Sequence, residues 1–177
     1  MPAPAGASRL SNPETLDDLL LYRLGRLTAT AGSMVIRLCE GRYGITRREW
    51  RVLALLGQID GLLSSELADR IRLDRARTSR AITSLVAKQL VSRMPGEADR
   101  RQARLSLTPA GRALVAELMP AVRDINREIL AVLPQADVAR LDAMLSRLQE
   151  RSAQLAAQAL LPKADRRRGG RARPLLD

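Results

Sequence analysis

The sequence predicts a mostly α-helical protein with one small β-hairpin near its middle. Leucine, valine and alanine recur at intervals of three and four residues over most of 14–162, which is the period of packed helices. The stretch "VSRMPGEADRRQARLSL" instead places two short runs on either side of a turn-rich segment, as in a hairpin. Aromatic residues make up only 2% of the chain and phenylalanine is absent, so the predicted core is aliphatic.

Two helices are predicted in the first third of the chain. The first covers about 14–40 and ends at Gly41 and Gly44, because glycine readily takes the left-handed conformation that closes a helix. The second follows Thr46, whose hydroxyl is suited to cap the first turn, and directs Trp50 towards the core.

Two shorter helices lead into the hairpin. One begins at Ser64, which is a favourable N-cap residue, and the next covers about 74–90. Strands are predicted at Val91–Met94 and Arg104–Leu107, where apolar and polar residues alternate. The segment between them, about Pro95–Ala103, has the glycine, proline and charged residues of a turn.

Two longer helices complete the predicted fold. Thr108 is suited to cap the first of them, and Pro109 follows at the first helical position, where proline loses no hydrogen bond. Pro120 lies inside this helix and is expected to kink it. Both helices carry apolar residues at heptad-like spacing, which indicates helix–helix packing.

The order of these elements is that of a winged helix-turn-helix joined to a helical module. The basic hairpin would be the wing, and the helix before it would enter a groove of nucleic acid. We therefore divide the sequence into a flexible leader, a helical dimerisation module in two segments, a DNA-binding lobe and a basic disordered tail. These parts cover 1–13, then 14–41 with 109–162, then 42–108, and finally 163–177.

The charge balance indicates a polyanionic partner. Lys and Arg number 30 and Asp and Glu 19, so the formal net charge is +11, which favours nucleic acid ahead of a membrane surface. The sequence has no long uncharged apolar run and no signal-peptide pattern, so we expect a cytoplasmic protein that does not contact a membrane. Without histidine and with one cysteine, a single chain excludes a Cys/His zinc site, a Ser–His–Asp triad and an internal disulfide. We expect no enzyme activity, no metal and no cofactor.

The helix at 74–90 has one apolar and one basic side. Its apolar side would pack on the preceding short helix, and its basic side is free to enter a major groove. The basic side carries Arg77, Arg80, Ser84 and Lys88, with Ala76 and Ala87 at its edge. An arginine can form a bidentate pair with guanine, and hydroxyl groups can bind phosphates. The DNA-binding candidates on this helix are Arg75, Ala76, Arg77, Ser79, Arg80, Thr83, Ser84 and Lys88.

The hairpin supplies a second set of DNA-binding candidates. Asp99 and Arg101 lie two residues apart, so in an extended segment the carboxylate can hold the guanidinium in one pose. A positioned arginine suits a narrow A·T-rich minor groove, where the potential is most negative. The candidates on the wing are Asp99, Arg100, Arg101 and Arg104.

These motifs resemble those of the MarR family of bacterial transcription regulators over about 14–160. "GITRREWRVLALL" resembles the second helix of the family, "SELA" and "LDRARTSR" its helix-turn-helix, and "DRRQARLSLTPAGRAL" its wing and the following helix. The resemblance implies a homodimeric repressor that binds a pseudo-palindromic operator in double-stranded DNA and is released by a small aromatic or anionic effector. It also implies dimerisation through both termini, for which the candidates are Leu16, Leu20, Val122, Ile125, Leu141, Leu145 and Leu148.

Two positions depart from the family pattern. Gln89 stands where the family often has glycine, so the helix before the wing is expected to end with strain or with a longer last turn. Arg77 stands where many members have a small hydroxyl residue, which predicts an altered base preference.

Signal sensing has two candidates in the sequence. Cys39 could be a redox sensor, but its neighbours Met34 and Leu38 favour a small buried residue, and peroxide-sensing members have their cysteine earlier in the first helix. A small-molecule pocket would lie between the first helix, the second helix and the helix after the wing. There Arg23 or Arg26 could neutralise a carboxylate ligand.

Two other functions stay open on the sequence alone. An architectural or nonspecific nucleic-acid-binding protein fits the net charge and the basic tail, and it would bind any duplex with similar affinity. A small enzyme fits less well, because histidine, a glycine-rich phosphate loop and clustered acids are missing.

Overall fold

The structure, a computed structural model, describes three stretches of the chain, residues 8–71, 74–94 and 103–159. The chain forms two compact units, Met1–Ala131 and Val132–Asp177. The predicted helical module takes segments from both units, and its boundaries stay a prediction. No helix in the three described stretches is both long enough and apolar enough to cross a bilayer.

Among the described residues, the first unit contains a short 3₁₀ helix, five α-helices and three strands. After the 3₁₀ helix Leu16–Asp18, the elements are α1 (Leu20–Tyr43), α2 (Arg47–Leu56), β1 (Leu62–Leu63), α3 (Ser64–Ile71), α4 (Arg75–Ala87), β2 (Val91–Met94), β3 (Arg104–Leu107) and α5 (Pro109–Leu130). The second unit contains α6 (Gln135–Gln158). This order confirms the predicted mostly helical fold with a hairpin after the fourth helix.

The hairpin strands belong to an antiparallel sheet of order β1-β3-β2. In the central strand, Leu105 lies opposite Leu62 of β1 and Arg93 of β2. Leu105 and Leu107 are buried while Arg104 is exposed, which confirms the predicted alternation. Strand β1 was not predicted, because two residues are too few to show a strand pattern. It joins the wing to the segment that leads into α3.

Three of the predicted helix starts are capped by side chains. The Thr46 hydroxyl accepts the backbone N–H of Glu49, and the Glu49 carboxylate accepts the N–H of Thr46 in return. Asp74 and Thr108 cap α4 and α5, each by accepting a backbone N–H from the first helical turn. The caps predicted at Thr46 and Thr108 are confirmed, and the cap at Asp74 lies where the sequence predicts the start of a helix.

Two further predictions concern the end of α1 and the start of α3. Of the two glycines predicted to end α1, Gly44 does so, with a φ of 61° that gives the left-handed conformation, whereas the prediction for Gly41 is wrong because it lies inside the helix. The predicted cap at Ser64 is also wrong. Ser64 is the first helical residue of α3 rather than its cap. The Glu66 carboxylate accepts the N–H of Leu63, the residue before the helix.

The turn between α4 and β2 contains the strain that the sequence predicts. Gln89 has a φ of 57°, a left-handed conformation that costs a non-glycine residue about 1–2 kcal/mol. The surrounding hydrogen bonds hold it there. The N–H of Leu90 donates to the carbonyl of Leu85, and the Thr108 hydroxyl donates to the carbonyl of Gln89.

The core is aliphatic, as predicted, with Trp50 as the aromatic member of the buried cluster. It is centred where α2, α3 and α4 pack against the sheet, and α1 and α5 each add one buried residue. The buried cluster consists of Cys39, Ile45, Trp50, Val52, Leu53, Leu56, Leu62, Leu67, Ile71, Ala81, Ile82, Leu85, Val91, Leu105, Leu107 and Leu118. The sequence positions that form the helix-turn-helix therefore also form the centre of the core.

The start of α5 packs directly on the turn after α4. The N–H of Thr108 donates to the carbonyl of Leu90 at 3.1 Å, and one helical turn later Gly111 lies so close that a Cβ atom would overlap that same carbonyl oxygen. Only glycine therefore fits at this position of the "LTPAG" motif.

We expect Gly111→Ala to lower the free energy of unfolding by about 1–3 kcal/mol, because the backbone of α5 must move away from Leu90. Gly41→Ala is the matched control, since a Cβ atom there meets nothing within 4 Å inside a helix. It should instead stabilise the protein by about 0.4–1 kcal/mol. Urea denaturation measures both values, and equal stability of the two variants would contradict the close approach.

Candidate nucleic-acid interface

Helix α4 has a solvent-exposed cationic face. Thr78, Ala81, Ile82 and Leu85 are buried on its inner side, against the core. The exposed residues define what we call the recognition face: Arg75, Ala76, Arg77, Ser79, Arg80, Thr83 and Ala87. Ala76 and Ala87 were predicted at the edge of this face. They lie at its middle, on the same stripe as Arg80 and Thr83 and opposite Leu85.

A buried ion pair holds the end of α4 against α2. The Glu49 carboxylate is only 2% exposed, and both of its oxygens lie 3.0 Å from the Nζ of Lys88. The same ammonium donates to the carbonyl of Gly44 at 2.8 Å. Its three hydrogens are therefore directed at the α1–α2 turn and the start of α2.

This pair removes two sequence-derived candidates from the recognition face. Lys88 is engaged by Glu49, and Ser84 is half-buried with its hydroxyl hydrogen-bonded to the same carboxylate. Both were assigned to DNA because they share a side of the helix with Arg77. In the last turns of α4 this side meets α2, whereas Arg77 in the first turn is exposed, so we leave Ser84 and Lys88 out of the recognition face.

The ionisation of Glu49 reflects its partners. Burial by itself would raise the pKa of this carboxyl group. Hydrogen bonds from Ser84, from the N–H of Thr46 and from Lys88, together with the Lys88 charge, outweigh burial and hold the pKa below its usual range. Glu49 is therefore a carboxylate in the folded protein at neutral pH.

The first turn of α4 contains a second ion pair. The Arg77 Nε lies 2.9 Å from Oδ2 of Asp74, while Oδ1 of Asp74 accepts the backbone N–H of Arg77 at 2.8 Å. Arg77 nevertheless keeps 55% of its side chain exposed. Arg80, on the same face, donates from its Nε to the carbonyl of Ala76 at 3.4 Å.

The strands of the wing contact the helical part of the lobe. Arg93 of β2 donates to the hydroxyl of Thr83 at 3.2 Å, and Arg104 of β3 donates to the carbonyl of Gly61 at 2.8 Å. Thr83 is thus both a member of the recognition face and a partner of the wing. The candidates at the turn of the wing, Asp99, Arg100 and Arg101, lie outside the described residues.

A hollow of about 370 Å³ opens between α3, α4 and the wing. Its polar lining is Ser64 and Ser65 from the start of α3, Ser79 from α4 and Arg93 from β2. We call it the serine hollow. Of these four residues only Ser79 was a sequence candidate. Arg93 shares a strand side with the buried Val91, so the alternation of the strand gave no reason to place its guanidinium in the interface.

Cys39 has the environment of a core residue. Its side chain is fully buried, and burial raises the pKa of the thiol, with a further contribution from Glu40 against an opposing one from Arg47. A sensor cysteine requires an accessible thiol with a lowered pKa. Within the described stretches, no cluster of three or more acidic or cysteine side chains could hold a metal ion.

Solved structures of other proteins share this fold. A probable transcriptional regulator from Pseudomonas aeruginosa is 29% identical, with 76% of this chain and 99% of the other covered and a TM-score of 0.63. A MarR family regulator from Silicibacter pomeroyi DSS-3 is also 29% identical, with 77% and 96% covered and a TM-score of 0.68. A comparison with curated proteins gives no match.

A family model described as MarR family matches residues 43–102, which run from the end of α1 into the wing. Over these residues the chain is similar to the MarR family. It is a DNA-binding transcriptional regulator, and the matched residues include the whole recognition face. Bordetella bronchiseptica BpsR, described in terms of the regulation of its DNA binding by 6-hydroxynicotinic acid, shares the fold at 23% identity, with 77% of this chain and 97% of its own covered and a TM-score of 0.70.

We expect Glu49→Gln to lower the free energy of unfolding at neutral pH by about 1–3 kcal/mol, because it removes the charge that holds Lys88. Folding lowers the pKa of Glu49, so its contribution is fully present above the unfolded value of about 4.3. It is lost as pH falls through the folded value. Chemical denaturation of both proteins from about pH 7 to about pH 3 measures this difference.

Glu128→Gln serves as the control, since Glu128 is exposed on α5 and its removal also lowers the negative charge by one. Its stability should follow that of the wild type at each pH. If Glu49→Gln does the same, the ion pair with Lys88 does not stabilise the fold.

Proposed function

We propose that the protein is a homodimeric repressor of neighbouring genes that binds a pseudo-palindromic operator and is released by a small anionic effector. The observation that supports this most strongly is the recognition face, which presents Arg75, Arg77 and Arg80 around the small side chain of Ala76. A helix with this surface can enter the major groove with its first turns against the base edges. Other residues of the lobe support contacts with phosphate, and exposed apolar residues outside it support a homodimer.

The serine hollow is suited to the DNA backbone beside the recognition face. Ser64, Ser65 and Ser79 offer hydroxyl donors, and Arg93 adds a positive charge. Hydroxyl groups, arginines and helix starts are the common partners of phosphate in protein–DNA complexes. We assign phosphate contacts to these residues and base contacts to the arginines of α4. On the sequence pattern, the turn of the wing with Asp99, Arg100 and Arg101 would reach the minor groove.

Exposed apolar residues outside the lobe support a homodimer. Leu16, Leu145 and Leu148 have 41–57% of their surface exposed in the single chain. Leu20, Val122, Ile125 and Leu141 are only half-buried. Leucines at this spacing and exposure are typical of helices that pack against a second subunit.

A hollow at the start of α1 supports the effector. It has a volume of about 390 Å³ and is lined by Arg9, Asp17, Arg23 and Arg26. Asp17 pairs with Arg26 at 2.8 Å, which leaves the hollow with an excess of positive charge. A carboxylate would fit this lining, and for BpsR a carboxylic acid regulates DNA binding. Trp50 is in the core and does not line this hollow.

Footprinting and gel-shift titration on the DNA upstream of the protein's own gene test this function. The expected result is protection of two half-sites about one helical turn apart and much tighter binding than to random duplex at about 150 mM salt. Adding 6-hydroxynicotinic acid or a related aromatic acid should weaken binding. Equal binding to both duplexes would support the architectural alternative instead.

We expect Arg80→Ala to weaken operator binding by about 1–3 kcal/mol, because it removes a major-groove contact of the recognition face. Arg123→Ala is the control: it removes the same charge from α5, which contributes no residue to that face. Fluorescence anisotropy with a labelled operator fragment measures both. Equal affinity of the two variants would exclude Arg80 from the interface.

We expect Leu145→Asp to convert the dimer to a monomer. Since Leu145 is 42% exposed in the single chain, the substitution should disturb the isolated subunit little, and the change in mass is therefore informative. Ala143→Asp introduces the same charge on the opposite side of α6. Sedimentation velocity at several concentrations compares them, and a native dimer of Leu145→Asp would show that this stripe is not the interface.

A further inference from the structure

Both oxygens of the Asp74 carboxylate contact Arg77. One oxygen caps α4 by accepting the N–H of Arg77, and the other lies 2.9 Å from the Nε of the Arg77 side chain. Capping needs only the first contact, which asparagine or serine could also make. The second contact fixes the guanidinium beside the helix start, at the edge of the recognition face.

We propose that Asp74 is a positioning residue that fixes Arg77 so that its two terminal nitrogens read a guanine in the major groove. The guanidinium has one edge with Nε and another formed by Nη1 and Nη2. The contact with Asp74 uses Nε rather than the terminal edge, and 55% of the Arg77 side chain is exposed. Two parallel donors on that edge match the O6 and N7 acceptors of guanine. This inference rests on the proposed binding to an operator.

The position of Arg77 in the helix supports this role. It is the third residue of α4, in the turn through which recognition helices contact base edges, and it follows the small side chain of Ala76. An arginine that is already held loses less conformational freedom on binding. The ion pair with Asp74 therefore holds the Arg77 side chain in the orientation for guanine before DNA binds.

The charge of Asp74 adds discrimination of a second kind. A carboxylate next to a polyanion repels every duplex, so it weakens binding to random sequences. At a site with a correctly placed guanine, the fixed Arg77 offsets this repulsion. Asp74 thus lowers affinity for the wrong sequence and raises it for the right one, which is how specificity is generally obtained.

The test uses Asp74→Asn, which keeps a capping oxygen and removes the charge. Wild type and variant are each bound to a pool of random duplexes, and the retained sequences are compared. The wild type should enrich a guanine that Arg77→Ala no longer enriches. Asp74→Asn should reduce that guanine preference about three- to tenfold while its affinity for random duplex rises. Asp74→Ser provides a second capping variant, and thermal melting verifies that each protein is folded.

Two comparisons separate positioning from a general charge effect. Glu66→Gln removes a carboxylate from the first turn of α3, so it should raise affinity for random duplex without changing the guanine preference. In the Arg77→Ala background, Asp74→Asn should change the base preference no further, because the guanidinium that Asp74 positions is absent. Replacing the enriched guanine by 7-deazaguanine should weaken the wild type and leave Arg77→Ala unaffected.

The outcomes separate this inference from the function on which it rests. If the wild type enriches a sequence and Asp74→Asn keeps the full guanine preference, Asp74 only caps the helix and the inference is overturned. The same follows if the preference lost in Arg77→Ala is for another base. If the wild type enriches no sequence at all, the operator-binding function itself is wrong.

Discussion

The position of the recognition helix depends on one buried carboxylate. Glu49 receives hydrogen bonds from the start of its own helix, from Ser84 and from Lys88, and Lys88 also reaches the carbonyl of Gly44. Three elements therefore meet at a charge that would be costly to bury without partners. The partners of the carboxylate lie at the start of α2 and on the last turns of α4, so it is satisfied only when these two helices are packed together, and Lys88 links them to the end of α1.

The two ends of α4 are held by different ion pairs. At its C-terminal end, the buried pair and the strained Gln89 fix where the helix stops and the wing begins. The close approach of Gly111 to Leu90 packs α5 on that same turn. At its N-terminal end, Asp74 and Arg77 form a pair that is accessible to solvent. The pair at the C-terminal end contains a buried carboxylate, and both members of the pair at the N-terminal end are more accessible.

The parts of the fold that depend on neighbouring residues could be predicted from the sequence. The caps at Thr46 and Thr108 and the alternation in β3 are local patterns, and they are confirmed. The contact of Lys88 with Glu49 could not be predicted, because the two residues are 39 positions apart and no local pattern reports such a contact. Arg93 was overlooked for the same reason, since the serine hollow is formed by three separate elements.

Ion pairing within the lobe also reduces the number of cationic side chains that are available to bind DNA phosphates. A cationic side chain that neutralises a DNA phosphate releases counterions from the DNA. The logarithm of the binding constant therefore falls with the logarithm of the salt concentration, with a slope proportional to the number of such contacts. Lys88 is already neutralised by Glu49, and Arg77 is partly neutralised by Asp74. The salt dependence of binding will therefore reflect fewer cations than the 30 lysines and arginines of the sequence suggest.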